Sequence, residues 1–441
     1  MTARRYASWG RVPASTPDRI ERLQTDADAL PDAPPMLAYG RGRSYGDACL
    51  NNGGTLLDTT ALDRVLAFDT DTGVIRCEAG LTLAQLLAVA VPAGWFLPVT
   101  PGTKFVTVGG AIANDVHGKN HHRDGTFGRF VRRFELWRSS GEKLVCSPDE
   151  HAELYRATIG GLGLTGLIRW AEIQLTPVAN EHVDLRRERF PSLDAFFRIN
   201  DAASARSRYT VAWIDTTATG ANLGRGLYIE GDHAPGPPDG PPLPPPGDPM
   251  TPRVRVPLDA PSRLLNPLTV RAFNALYYRQ QLKPVVRKRT HFEPFFYPLD
   301  AVGDWNRLYG KRGFFQYQFV VPHSDGHAAV REILDRIARA GQASFLAVLK
   351  TFGAIESPGL LSFPRPGVTL ALDFPNRGET TRRLFRELDA LVRSAGGRLY
   401  PAKDACMTAE DFQQSYPEWE AFREHIDPAF SSSFWRRVTE E

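Results

Sequence analysis

Residues 39–47 read YGRGRSYGD, and residues 101–110 read PGTKFVTVGG. Each stretch combines glycines, which let backbone N–H groups approach an anion closely, with cationic and hydroxyl side chains that neutralise it or donate hydrogen bonds. The second stretch continues into Ala111-Ile-Ala113, a run of small residues over which a flat ring would fit. Both stretches are candidate phosphate-binding loops, and an ordinary glycine turn is the alternative for either one alone.

A third glycine-rich stretch, GLGLTG at residues 161–166, matches the dinucleotide fingerprint GxGxxG. That fingerprint binds a pyrophosphate only where a strand ends and a helix begins. Here residues 167–175, LIRWAEIQL, alternate between apolar and polar side chains and end at Thr176-Pro177, which is typical of a strand. The pattern therefore predicts a tight glycine turn and not a nucleotide-wrapping Rossmann unit.

The first 178 residues alternate short apolar runs with glycine turns, an α+β pattern whose strands include Thr55–Leu57, Val74–Cys77 and Leu136–Trp137. Residues 81–99 carry no charge over a length that could just cross a bilayer. Leu83, Leu86, Leu87 and Ala90 nevertheless recur at helical spacing before Pro92 breaks the pattern. We therefore expect a short buried helix there, with a membrane span as the alternative.

The second half of the chain predicts an antiparallel sheet with helices on one face, because two strand–helix–strand units follow strands at residues 208–215 and 227–230. The units cover residues 315–350 and 368–400. Period-two alternation places Gln316 and Gln318 on one face, and Thr369, Ala371 and Asp373 together on another strand. These polar groups would meet either a ligand or water. The proline- and glycine-rich residues 233–252 predict a mobile loop within this domain.

His117 and His121 stand four residues apart, as in a helical metal pair. Gly118 and Asn120 argue against a helix at that point, and no cysteine completes a ligand set. We therefore predict no metal site and favour a loop histidine used for hydrogen bonding or proton transfer. Lys403 is distinguished locally only by its place just after a short apolar strand.

Composition excludes several classes of protein. The 441 residues include 53 Lys and Arg against 50 Asp and Glu, which gives no electrostatic reason to expect a nucleic-acid partner. A hydrophobic content of 42% predicts a large buried core. Four cysteines far apart, without a CxxC pair, favour a reducing compartment. The basic N-terminus is not followed by an apolar run, so we predict no secretory signal and a cytoplasmic protein.

Together, YGRGRSYGD, the string PGTKFVTVGGAIANDVHG at residues 101–118, KNHH at 119–122, GFFQYQFVVP at 313–322 and RLYPAKD at 398–404 resemble the vanillyl-alcohol-oxidase class of FAD-dependent oxidoreductases. Within that class the chain is similar to the sugar 2′-oxidases that form the flavin half of a 2′-epimerase, in the same order from about residue 36 to the C-terminus. The resemblance implies an α+β protein with a two-lobed FAD domain at residues 1–179 and a substrate domain at 180–397. Residues 398–441 would return to the FAD domain.

The resemblance also implies the cofactor contacts. Those of the first loop are Ala38, Tyr39, Gly40, Arg41, Gly42, Arg43, Ser44, Tyr45, Gly46 and Asp47, around the FAD diphosphate. Those of the second are Gly102, Thr103, Thr107, Val108, Gly109, Gly110, Asn114, Asp115, Val116 and His117, around the ribityl chain and the ring system, with Ile168 and Tyr400 completing the set. Many members of the class tether FAD through a histidine in the first loop. Arg43 stands in the corresponding string here, so non-covalent FAD is expected.

The implied reaction is oxidation of the 2′-hydroxyl of a polyprenyl-phosphoryl-β-D-ribofuranose to a ketone, the first half of epimerisation to the arabinose form. An NAD(P)H-dependent keto-reductase would complete it, and the enzyme would meet its lipid-linked phospho-sugar at the membrane surface. The implied substrate pocket takes Tyr45, His117, Gln316, Gln318, Lys350, Thr369, Asp373 and Lys403. Lys403 is the first choice for orienting or deprotonating the hydroxyl, with His117 beside it. A soluble sugar or aldonolactone oxidase, or a flavin-bearing binding subunit, is the alternative.

Three pocket positions depart from the family pattern. Ala371 stands where relatives from arabinan-building bacteria have a cysteine, Thr369 where they have an asparagine, and Phe296 where they have a tyrosine. These changes bear on which lipid and sugar are bound more than on the type of reaction. We also expect no adduct with inhibitors that target the family cysteine.

Overall fold

The computed structural model describes residues 6–236, 250–261 and 264–439. The mobile loop expected at residues 233–252 falls mostly on residues 237–249, which lie outside the described residues. Within the described part, the strands are β1 (Arg19–Arg22), β2 (Met36–Tyr39), β3 (Thr55–Asp58), β4 (Val65–Asp69), β5 (Val74–Glu78), β6 (Trp95–Phe96), β7 (Val131–Trp137), β8 (Lys143–Cys146), β9 (Leu167–Gln174), β10 (Thr176–Pro177), β11 (His182–Phe190), β12 (Tyr209–Ile214), β13 (Gly226–His233), β14 (Val254–Arg255), β15 (Val285–His291), β16 (Val302–Gly303), β17 (Phe314–Val321), β18 (Ala347–Phe352), β19 (Gly367–Pro375) and β20 (Arg398–Leu399).

The α-helices of the same residues begin after β5, and the last three follow β20 without a strand between them. They are α1 (Leu83–Ala90), α2 (Val108–Ala113), α3 (His121–Asp124), α4 (Ala152–Thr158), α5 (Leu193–Arg206), α6 (Pro267–Arg279), α7 (Phe292–Phe296), α8 (His323–Arg339), α9 (Glu379–Ser394), α10 (Ala409–Ser415), α11 (Trp419–Arg423) and α12 (Ser433–Thr439). The mixture of helices and antiparallel sheets confirms the α+β prediction.

Two sheets form the first part of the chain. A parallel sheet has the order β1-β3-β2, and an antiparallel sheet has the order β4-β5-β9-β7-β8. The alternating residues 167–174 form strand β9 at the centre of the second sheet, and its burial alternates over its C-terminal half. The preceding glycines turn the chain tightly, since Gly163 and Gly166 have φ of +78° and +133°. The prediction of a turn before a strand is therefore confirmed.

The uncharged residues 81–99 form helix α1 and the short strand β6 rather than one long helix. Thr82 and Gln85 close a capping box at the start of α1, and its leucines point into the core, where Leu83, Leu86 and Leu87 are buried. In the described part of the chain no helix is both long and apolar enough to cross a membrane. The expectation of a short buried helix is therefore confirmed.

An eight-stranded antiparallel sheet, with the order β15-β11-β13-β12-β18-β19-β17-β20, dominates the second part. Helices α5, α8 and α9 pack on one face through apolar stripes such as Val330, Ile333 and Ile337, which are fully buried. The hydrophobic effect holds this layer together, at about 25 cal/mol per Å² of apolar surface removed from water. The face that these helices leave uncovered between β12 and β17 lies toward the glycine loops and carries the polar residues of the site.

The C-terminal residues contact the first part of the chain again. Strand β20 adds to the edge of the large sheet beside β17, and Phe430 forms a bridge with Met36 of β2. Arg437 of α12 forms ion pairs with Asp47 and Asp404, both at 2.8 Å. These ion pairs join the end of the first glycine loop to the turn that carries Lys403.

Candidate active site

A cavity of about 850 Å³ lies between the two glycine loops and the uncovered face of the large sheet. The two loops touch each other, because a Cβ added to Gly40 would lie 2.5 Å from Oγ1 of Thr107. That hydroxyl accepts a hydrogen bond from the backbone of Gly110 and so caps α2. Any side chain at position 40 would therefore separate the loops and disturb the start of α2.

The cavity lining at Arg43 is suited to an anionic group such as a diphosphate. Its guanidinium stacks over Trp9, 4.1 Å from the ring centroid, and approaches Phe105 at 5.5 Å. Nε of Arg43 is buried and has no hydrogen-bond partner among the described residues, and desolvation lowers the pKa of the group. A desolvated cation with an unsatisfied N–H beside glycine backbone is what a bound anion would stabilise.

His117 lies between two side chains at the other end of the cavity. Its Nδ1 is 3.1 Å from Nζ of Lys350, and its Nε2 is 3.0 Å from the amide nitrogen of Gln318. Lys350 also donates to the carbonyl of Gly118 at 3.1 Å. The amide nitrogen of Gln318 can only donate, so Nε2 of His117 accepts from it and the ring proton lies on Nδ1, facing Nζ of Lys350. A neutral Lys350, which its pKa of about 7 allows, accepts the hydrogen bond from Nδ1–H.

Lys403 stands over the ring of Tyr45, with Nζ 3.9 Å from the ring centroid. Behind them, Gln316 donates from its side-chain amide to Asp373 at 2.6 Å. The second carboxylate oxygen of Asp373 is buried and has no partner among the described residues. A cation and an acid therefore lie deep in the protein within electrostatic reach of each other.

Desolvation sets the charges of this site. It lowers the pKa of Lys350 and of Lys403 to about 7 each, and that of Lys119 to about 8, while the charge of Asp373 acts in the opposite direction on Lys403. It raises the pKa of Asp373 to about 7. Desolvation and the neighbouring Lys350 hold the pKa of His117 well below its usual range, so this ring is neutral at pH 7. Lysines that can lose a proton near neutral pH are suited to acid–base chemistry.

Most of the residues expected at the site line this cavity. They include Tyr45, His117, Gln316, Gln318, Lys350, Lys403, Ile168 and Tyr400, and most of both loops. The period-two prediction for β17 therefore placed both glutamines on the face that meets the cavity. Their roles in catalysis and binding stay predictions.

Other expected residues lie behind the lining. They are Tyr39, Gly46, Asp47, Val108 and Asp115 from the cofactor set and Thr369 and Asp373 from the substrate set. Asp47 pairs with Arg437, and the carboxylate of Asp115 accepts hydrogen bonds from Ser362 and from the backbone of Gly128. Such residues hold the lining in place: Thr369, for example, accepts from Gln318 at 3.3 Å.

Several lining residues were not singled out from the sequence, among them Trp9, Arg187, Trp213, Phe273 and Lys288. A lone tryptophan in a polar N-terminal stretch carries no local signal that it will stack on Arg43. The two histidines of the possible metal pair both pack against Phe352, with ring centroids 4.8 Å away for His117 and 4.4 Å for His121. In the described part of the chain no cluster of three His, Cys, Asp or Glu side chains is arranged to hold a metal ion.

Comparison with known proteins agrees with this geometry. A family model described as an FAD binding domain matches residues 23–147. The chain is 38% identical to the decaprenylphosphoryl-β-D-ribose oxidase of Mycolicibacterium smegmatis, over 99% of this chain and 98% of the relative. It is 36% identical to an uncharacterized protein of Streptomyces coelicolor over 81% of this chain, covering the whole relative. It is 22% identical to the L-gulono-1,4-lactone dehydrogenase of Mycobacterium tuberculosis, over 98% of both chains.

The family match and the first relative, which the chain covers almost end to end, identify the cofactor and the class of reaction. The cavity between the loops and the unsatisfied, buried Arg43 are compatible with such a cofactor. This chain belongs to the decaprenylphosphoryl-β-D-ribose oxidase family of FAD-dependent oxidoreductases.

Proposed function

We propose that this protein oxidises the 2′-hydroxyl of a polyprenyl-phosphoryl-β-D-ribofuranose to the 2′-ketone, using non-covalently bound FAD. The observation that carries the proposal is the 38% identity, over nearly the full length of both chains, to an enzyme named for a decaprenylphosphoryl ribose. The cavity supports it, because glutamine amides suited to sugar hydroxyls and lysines suited to a phosphate line the same wall. Arg43, in place of a tethering histidine, supports non-covalent FAD.

The reaction removes a hydride from the carbon that bears the hydroxyl and a proton from its oxygen. FAD, when bound, supplies the hydride acceptor. Lys403 is the proposed base, since desolvation lowers its pKa to about 7 and leaves a large fraction of the amine neutral. His117, whose pKa is far lower, is a weaker base, and through its two ring nitrogens it holds Lys350 and Gln318 beside the hydroxyl. Lys350 and Lys119 supply positive charge for the phosphate.

The lactone dehydrogenase relative favours a second candidate, oxidation of a free sugar or an aldonolactone without a lipid tail. The two candidates differ in the need for the phosphate and the polyprenyl chain. The lactone dehydrogenase is 22% identical to this chain, against 38% for the phospho-sugar enzyme over a similar length. Oxidation of a free sugar or lactone is therefore the weaker candidate.

An anaerobic titration of the FAD-loaded protein distinguishes these functions. Short-chain polyprenyl-phosphoryl ribose, free ribose and L-gulono-1,4-lactone are added in turn while the flavin absorbance near 450 nm is followed. Bleaching by the phospho-sugar alone supports the proposal. Bleaching by the lactone or the free sugar moves the function to the soluble oxidase, and bleaching by none leaves a flavin-bearing binding subunit.

The product of the proposed step is a ketone, so a hydride donor must reduce it from the other face if epimerisation is to follow. We infer an NAD(P)H-dependent keto-reductase as the partner that performs this step. We also propose that the enzyme works at a membrane surface, where its lipid-linked substrate resides, and that residues 180–397 form the substrate domain between the parts of the FAD domain. Co-purification with a reductase and release of arabinose product in the presence of NAD(P)H test the partnership.

A further inference from the structure

Exposed apolar side chains are concentrated in one short part of the chain. The large hydrophobic residues that are exposed within the described residues are Leu66, Val89, Val254, Leu258, Leu264, Leu268, Phe273, Leu276 and Leu282. Seven of these nine lie between residues 254 and 282. Such a concentration marks an interaction surface, whereas single exposed leucines do not.

Helix α6 carries the centre of this surface and exposes large apolar side chains where an ordinary surface helix has polar ones. Leu268, Ala272 and Leu276 follow one another at a spacing of four residues, and the two leucines are 79% and 71% exposed. The opposite side of the helix buries Val270 and Asn274, and Asn274 donates to Asp215 and to the carbonyl of Ser344. The leucines therefore point outward although a buried side is present on the same helix.

The charge that this segment itself carries is almost entirely positive, with Arg255 paired to Asp304 and Arg289 paired to Asp184 outside it. Residues 253–261 and 264–289, which we call the 253–289 surface, carry eight Arg and Lys and one acidic residue, Asp259, although the whole chain is nearly balanced at 53 to 50. Asp259 is engaged by Arg11 at 2.7 Å. Arg271, Arg279 and Lys283 are exposed and form no salt bridge with a described residue. Cations around projecting leucines complement a bilayer that contains anionic lipids.

The 253–289 surface adjoins the opening of the active-site cavity. Phe273 and Tyr277 of α6 line the cavity, as do Arg255, Lys288 and the nearby Pro252. One side of α6 thus borders the path into the site while the neighbouring side presents leucines to the outside. The tail of a lipid-linked substrate can stay in the bilayer only if the cavity opens toward the membrane. An opening beside exposed leucines meets that requirement.

From these observations we propose that the 253–289 surface docks the enzyme on an anionic lipid bilayer, with Leu268 and Leu276 inserted and Arg271, Arg279 and Lys283 over the headgroups. This assignment rests on the proposed function, which supplies the reason for a membrane. It places the cavity opening against the membrane, so that only the sugar phosphate has to leave the lipid surface.

The test is sedimentation of the FAD-loaded protein with vesicles of phosphatidylcholine, with and without 30% phosphatidylglycerol, the fraction chosen for roughly physiological anionic charge. We expect binding to the anionic vesicles that weakens as salt is raised. Leu268→Ser with Leu276→Ser should weaken binding at least about tenfold, and Arg271→Gln with Arg279→Gln by about fivefold per charge. The matched controls are Leu66→Ser with Val89→Ser, and Arg382→Gln with Arg383→Gln on α9, all exposed and away from this surface.

Flavin reduction by a short-chain phospho-sugar in vesicle-free buffer, measured on the same variants, separates the two proposals. Neither leucine lines the cavity, so reduction by this substrate should stay at the wild-type rate. A protein that is reduced but does not bind anionic vesicles, or whose binding falls equally in the control variants, overturns the docking surface and leaves the function standing. Vesicle binding that depends on α6 without reduction by the phospho-sugar supports the surface and refutes the proposed substrate.

Discussion

Replacement of Lys403 by methionine tests the proposed base most directly. Methionine keeps the length and apolar stem of lysine and removes the amine, so a desolvated site should accept it without a large loss of stability. At pH 7 a lysine with a pKa of about 7 is about half neutral. An ordinary lysine, with a pKa near 10.4, is neutral in only about one molecule in 2,500 at this pH. The surroundings of Lys403 therefore increase the fraction of neutral, basic amine on the order of a thousandfold.

Loss of a positioned general base slows a proton transfer by about a hundred- to ten-thousand-fold. We therefore expect K403M to bind FAD normally and to be reduced that much more slowly by the phospho-sugar in anaerobic stopped-flow measurements. In the wild type the rate should rise with pH through about 7, as Lys403 loses its proton. Asp373→Asn should move that rise to lower pH, because the carboxylate charge raises the pKa of Lys403. Lys311→Met, at an exposed position, is the control. Reduction of K403M within twofold of wild type, or an unchanged pH profile, refutes the role.

Four further results are expected. Arg43→Gln should lower FAD occupancy, and acid precipitation of the wild type should release all of the yellow cofactor into the supernatant; colour retained in the pellet would mean a covalent link. The wild type should form no adduct with inhibitors that target the family cysteine, because Ala371 stands at that position of the cavity wall. Cys49 also lines the cavity, but desolvation raises the pKa of its thiol to about 12, so it stays protonated and unreactive. Ala371→Cys should instead gain the inhibitor mass in intact-protein mass spectrometry. Arg437→Gln should reduce the free energy of unfolding by about 3 kcal/mol, because it leaves the carboxylate of Asp47 buried without its partner, and a denaturation midpoint unchanged from wild type would contradict this.

The sequence predicted the parts of the fold that depend on local pattern. The alternation after residue 166 identified β9 and excluded a Rossmann turn, and the spacing of leucines identified α1. Period-two reading also put Gln316 and Gln318 on one face of β17. It left open what that face meets, because alternation is the same whether a strand faces water or a cavity.

Features that depend on distant parts of the chain were beyond local pattern. Lys403 looks like an ordinary lysine in sequence, and its low pKa comes from the cavity wall that residues hundreds of positions away build around it. Trp9 stacks on Arg43 from a segment with no apolar pattern. The leucines of α6 show the opposite case, since apolar residues at helical spacing predict a buried stripe, whereas here Leu268 and Leu276 are exposed. The buried side of α6 is instead the one whose Asn274 bonds Asp215 and Ser344, residues that lie far from it in the sequence.

The lysines of the cavity have two tasks that need opposite protonation states. Lys403 must be neutral to take the hydroxyl proton, which favours pH above about 7, whereas Lys350 and Lys119, with pKa values of about 7 and about 8, must be protonated to hold a phosphate. A bound phosphate raises the pKa of a nearby lysine, so substrate binding takes up protons and weakens as pH rises above about 8. Turnover of the phospho-sugar, measured as kcat/KM, should therefore pass through a maximum near neutral pH. An aldonolactone carries no phosphate and needs only the neutral base, so its kcat/KM should rise to a plateau. A plateau with the phospho-sugar would show that these lysines do not hold its phosphate.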